Sequence, residues 1–188
     1  QNIIDGLSRE EFIASKLLTI LVFTIFSTLL VFTIALVLGK TYSDTQDGEL
    51  IFKEIYFIFN YFLKLFTFFT FLMFLSVLFR KSIFVFLGFF MLWFVEGVFS
   101  GIEKFMLLKN VAQKDKARLM LENHFITDYL PLESMSSLIP NPLVRTKMAQ
   151  MIGMDFKFDY PVYSVIACLV WSLIFIGGSY LILKKKDW

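Results

Sequence analysis

The chain carries little charge for its length: Asp, Glu, Lys and Arg make up 18% of its 188 residues, against roughly 25% in soluble domains. Its net charge is only +2, so it has no overall basic field of the kind that attracts nucleic acid, and nucleic acid is excluded as a partner. A single cysteine, Cys168, rules out an intrachain disulfide and any cysteine-cluster metal site. A single histidine, His124, rules out the two-histidine zinc motifs. What the sequence has instead is apolar: 57% hydrophobic and 19% aromatic residues, with 25 phenylalanines and a positive mean hydropathy. A soluble fold of this length cannot bury so much apolar surface, and the composition is that of a membrane protein. The chain opens on Gln1 with no basic, apolar and small-residue leader behind it, so the sequence is expected to begin inside a longer parent chain.

Four apolar runs are long enough to cross roughly 30 Å of hydrocarbon at about 1.5 Å per helical residue. They are residues 17–38, without a charge; 60–79, containing Lys64; 83–102, containing Glu96; and 163–183, closing on Lys184, Lys185 and Lys186. Phe, Ile and Val also favour strands, but uninterrupted runs lack the alternation of a membrane barrel. The fold class expected is therefore all-α: four transmembrane helices in one domain over residues 1–188.

Lysine and arginine in short flanks stay on the cytoplasmic side of a membrane. Four spans put both ends on one face. That face holds Arg9 and Lys16, the tight Arg80-Lys81 turn and the terminal lysines, so both ends are placed in the cytoplasm, with the protein in the cell (inner) membrane. The loop 39–54 and the long segment 103–162 then lie outside. The latter is itself lysine-rich, but long loops weigh little in the rule. It is expected to be helical in part. Residues 103–125 alternate apolar clusters with Lys114, Asp115, Lys116 and Arg118, as in a helix leaving the membrane. Asn141-Pro142 reads as an N-cap with proline in the first turn of a short helix ending before Gly153, and Pro161 is placed to open the last span.

The richest local pattern is at the start. Asp5-Gly6 is a turn dipeptide, Ser8 and Glu11 have the spacing of a reciprocal capping box, and Leu7 and Phe12 that of a hydrophobic staple. Glu10 and Glu11 complement the positive helix end. A helix running from Ser8 through residue 38 would be about 46 Å long, with its first two turns outside the bilayer. Taken alone, this is a well-capped helix start. Yet the run Asp5, Gly6, Leu7, Ser8, Arg9, Glu10, Glu11, with Lys16 just before the span, resembles the cytoplasmic segment between the second and third helices of ABC-2 type transporter permeases, which carries an "I-x-D-G-hydrophobic-S-R-x-E" kind of pattern. The order of spans, the outside segment with helices and the basic-Asp ending at Lys186-Asp187 are similar to that family's third to sixth helices. The resemblance implies a permease-like fold whose first two helices are missing here. It also implies an ATP-driven exporter subunit that is not itself an enzyme and takes no cofactor, partnered by an ATP-binding cassette subunit and a second permease, identical or different. Residues 5–16 and the Arg80-Lys81 turn would dock on the ATPase. A non-transporting scaffold or sensor with a ligand-binding outer segment is the alternative.

Other chemistry is not supported. Gly39-Lys40-Thr41 mimics the end of a phosphate-binding loop, but Ile34 stands where glycine is required, and the tripeptide closes a span instead of opening a helix. His124 with Asp115, Glu122 and Asp128 has no metal-ligand spacing. Ser134, Ser136 and Ser137 have no histidine placed for nucleophilic work. Within the spans one charged pair stands out. Lys64 lies about 22 Å before the Phe79 end of its span and Glu96 about 21 Å after Ser82. Spans joined by so short a turn would lie side by side, so the two charges could meet as an intramembrane ion pair and lower each other's burial cost; separate snorkelling to the interface is the alternative. Gly97 and Gly101 have the small-xxx-small spacing of a close helix contact, and Thr24, Ser27, Thr28 and Ala35 form a weakly polar stripe suited to packing.

Overall fold

The structure, a computed structural model, describes residues 9–42, 55–79, 81–109, 125–139 and 162–185. Its long helices are α1 (Arg9–Tyr42), α2 (Tyr56–Leu78), α3 (Ser82–Leu108) and α5 (Val162–Lys185). Between α3 and α5 come a 3-10 turn, Ile126–Tyr129, and the short α4, Pro131–Ser137. There is no strand among the described residues. The four long helices are long and apolar enough to cross a membrane; even the 23-residue α2 reaches about 35 Å at the helical rise. Helix is the conformation that lets such β-prone sequences satisfy every backbone N–H and C=O without water.

The helices overrun the apolar runs. α1 continues through Gly39, Lys40 and Thr41, where the Thr41 hydroxyl donates to the Val37 carbonyl, so this tripeptide is a helix end and not a phosphate loop. α2 starts four residues before Asn60, and α3 carries Glu103 and Lys104 on to Leu108. α5 begins at Val162, the residue after Pro161. The expected helix at 142–152 and most of the one at 103–125 fall outside the described residues.

By its internal contacts the chain divides into two compact units, residues 1–85 with 169–188 and residues 86–168. In the first, the packing is inverted relative to a soluble protein. Leu18, Val22, Phe26 and Leu173 are exposed, whereas Thr24, Thr67, Thr70, Ser172 and Ser179 are buried. Lipid tails are as apolar as leucine, so burying leucine is not what draws these helices together; small side chains that permit close packing do. Their hydroxyls mostly bond to their own helix, Thr28 to the Thr24 carbonyl and Ser179 to that of Phe175, which satisfies each of these groups within its own helix. Thr67 and Ser172 instead bond to each other, 2.9 Å apart, and join α2 to α5. Phe71 and Phe74 pack on Phe175 with ring centroids 5.0 and 5.6 Å apart. That approach depends on Gly178, where a Cβ would fall 2.8 Å from the Phe74 ring. α1 meets α2 through Phe23 edge-on to Phe69, with centroids 5.2 Å apart, and through Ser27 and Tyr61 hydroxyls at 3.5 Å. The stripe read on α1 is thus a packing face at Thr24, Ser27 and Thr28; Ala35 is exposed. The close contact expected at Gly97 and Gly101 is not made among the described residues, since no atom lies within 4 Å of a Cβ built on either.

Candidate functional site

Two constellations hold the polar side chains that this fold positions, one in each unit. The first is the α1 start. Of the residues singled out there, Asp5, Gly6, Leu7 and Ser8 lie outside the described residues, as does Arg80. Arg9 is the first helical residue. Glu10 and Glu11 fall in the first turn, where their charge opposes the positive helix end. The Glu10 carboxylate also accepts a hydrogen bond from the Tyr180 hydroxyl, 2.9 Å away, tying the start of α1 to the last turns of α5. Sequence reading missed this contact, for nothing local links positions 170 residues apart. Lys16 is exposed, and its ammonium lies 5.6 Å from the centroid of the Phe12 ring, one helical turn away, within cation–π range. Lys81 is exposed just before α3, and its carbonyl accepts from the Phe84 amide.

The second constellation lies along one face of α3. Glu96, Ser100, Glu103 and Lys104 follow helical spacing, so they share a side of the helix, with Glu96 and Ser100 buried. This face grips the segment that follows α3. The Glu103 carboxylate accepts the Ile126 amide at 2.8 Å through one oxygen and the Thr127 amide at 2.9 Å through the other, which also takes the Thr127 hydroxyl. Glu96 accepts the Leu132 and Glu133 amides at 3.0 and 3.1 Å. Lys104 pairs with Glu133 at 3.2 Å. Asp128 turns back to accept the Phe125 amide.

The chemistry of this arrangement is that of caps. The first amides of a helix have no partner within it and must find acceptors elsewhere. The 3-10 turn receives Glu103 and Asp128; α4, with Pro131 in its first turn, receives Glu96. Carboxylates suit the task because they bring charge to the positive end of each element. Beneath the clamp Met135 and Leu138 are buried, and the Cys168 thiol lies 3.5 Å from the Ser134 hydroxyl. Ser134, Ser136 and Ser137 therefore sit on a structural helix, and the Ser134 and Ser136 hydroxyls bond to the carbonyls of Pro131 and Glu133. Glu96 lies in the second unit and a half-buried Lys64 in the first. The two amides are partners for Glu96 that sequence reading did not supply. The Glu96, Ser100, Glu103 spacing could have flagged a polar face on α3, but not what it binds. Among the described residues no group of three His, Cys, Asp or Glu side chains could hold a metal ion; Asp115, Glu122 and His124 lie outside them.

A family model described as ABC-2 family transporter protein matches residues 7–188, nearly the whole chain and every element described above. The chain belongs to the ABC-2 transporter family. It is accordingly a multi-pass membrane protein and a permease subunit of an ABC transporter, a channel-forming component that is not itself catalytic. ABC-2 membership implies association with an ATP-binding cassette subunit and with the bilayer. No curated protein and no solved structure matches the chain. For an ABC-2 permease the carboxylate face of α3 reads as scaffolding, because each oxygen accounted for is occupied by a backbone amide or a neighbouring hydroxyl.

Proposed function

We propose that this permease works in an ATP-driven exporter, in which separate nucleotide-binding subunits dock on its cytoplasmic face and a second permease, identical or different, completes the path. The family match over residues 7–188 carries the reading. Residues 5–16 are the proposed coupling element, with Arg80 and Lys81 contributing from the next turn on the same face. α1 starts at Arg9, eight residues ahead of its uncharged run at 17–38, so its first two turns extend about 12 Å beyond the hydrocarbon. A rigid helix pushed at that end moves as a lever along its whole length, and the Glu10 to Tyr180 hydrogen bond offers a path to α5. In this reading both ends of the sequence face the cytoplasm of a cell with the protein in its inner membrane.

The test is reconstitution with the ATP-binding subunit. Reversing Arg9 and Glu10 in charge, or replacing Gly6 by valine, should weaken co-purification of the partner or uncouple its ATPase from transport, while membrane insertion is unchanged. Normal partner binding and normal transport with residues 5–11 scrambled would remove the coupling assignment.

A further inference from the structure

Within the first unit a cavity of about 520 Å³ opens between α1, α2 and the end of α5, inside the range of roughly 300 to 1,000 Å³ typical of small-molecule pockets. Its walls come from residues at helical spacing on two facing helices, among them Phe12, Lys16 and Ile20 of α1 and Phe69 and Met73 of α2, with Leu183 closing one side. Met73 and Leu183 are buried, so the wall is built into the helix packing. The lining is apolar apart from Lys16 and the two small hydroxyl residues Thr19 and Ser76.

The cavity has one charged wall residue, with apolar residues on either side of it along α1, Phe12 and Ile13 before Lys16 and Ile20 after it. Lys16 immediately precedes the uncharged run of α1, so its ammonium stands at the level of the lipid headgroups. Ile20 lies one turn deeper, and Phe69 is ten residues, about 15 Å, before the end of its own span. The end of the unit at which Lys16 sits is basic, with Lys81 ahead of α3 and Lys184 and Lys185 in the last turn of α5. Among the described residues no neighbouring carboxylate forms an ion pair with Lys16. Glu10 and Glu11 stand more than about 100° round the helix from it at 3.6 residues per turn, and Glu10 is engaged by Tyr180. Among the described residues Lys16 has no carboxylate partner, only the Phe12 ring.

A single cation in an otherwise largely apolar groove, at the start of the uncharged run of α1, complements one kind of occupant: an anionic headgroup carrying hydrocarbon chains. We propose that this cavity is a binding site for an anionic phospholipid, with its phosphate on Lys16 and an acyl chain running past Thr19 and Ile20 toward Phe69. The site holds a lipid of the surrounding leaflet and is independent of what the transporter carries.

Native mass spectrometry of the delipidated full chain in detergent, titrated with phosphatidylglycerol or with phosphatidylcholine of the same acyl chains, tests this. One phosphatidylglycerol should be retained in preference to phosphatidylcholine. Lys16→Gln should weaken it by about fivefold, the contribution of one basic residue near a membrane surface, and Lys16→Arg should restore it. Thr19→Trp, at an exposed position, should fill the groove and weaken phosphatidylglycerol while keeping the charge; if that variant melts early, the Gln and Arg variants decide alone. Equal binding of both lipids to the unaltered chain, inorganic phosphate competing as well as the lipid, or phosphatidylglycerol binding untouched by Lys16→Gln would each overturn the assignment.

Discussion

Glu96 offers the sharpest test of how the segment after α3 is held. Its buried carboxylate accepts the Leu132 and Glu133 amides at 3.0 and 3.1 Å. Glu96→Ala deletes the acceptor and strands both amides at the start of α4. A buried donor left without a partner costs about 1 to 3 kcal/mol. Because the first turn of α4 is half-buried and water can replace part of the loss, the pair should cost about 2 to 4 kcal/mol. Glu96→Gln keeps an oxygen in place and gives up only the charge and its attraction to the helix end, about 1 kcal/mol. The expected order of thermal stability in detergent is therefore unaltered chain, then Gln, then Ala, with the larger gap between the two variants. Hydrogen exchange should localise the effect, with amides of residues 131–137 exchanging faster in the Ala variant and those of α1 unchanged. Equal melting of the Gln and Ala variants, with exchange over 131–137 unaffected, would show that Glu96 does not hold α4.

Two further outcomes separate the packing and topology claims. Gly178→Leu should lower stability by about 1 to 3 kcal/mol, the usual cost of overpacking, because the Phe74 ring lies 2.8 Å from the new Cβ, whereas Gly97→Leu, with nothing within 4 Å, should leave melting nearly unchanged; equal effects would contradict the packing described. In a Cys168→Ser background, cysteines at Asp47 and Lys147 should react with an impermeant thiol reagent on intact cells and one at Ser82 should not, and labelling at Ser82 would reverse the orientation proposed.

The four spans were legible in the sequence because crossing a bilayer is a local requirement: some twenty apolar residues in a row must be helical wherever the rest of the chain goes. The reading of Gly39-Lys40-Thr41 as a helix end has the same origin, since a span's terminus is marked by where its apolar run stops. Pro161 likewise announced a helix start through proline's fixed φ and missing N–H. Tertiary structure alone decided what the polar side chains do. A carboxylate has no preferred partner until another segment arrives: Glu96 is met by amides 36 and 37 residues on, and Glu103 by amides 23 and 24 residues on. The same holds for small residues. Gly97, Gly101 and Gly178 are alike in sequence, yet only at Gly178 does an aromatic ring fill the space where a side chain would be, because close approach is a property of two helices and neither one encodes it alone.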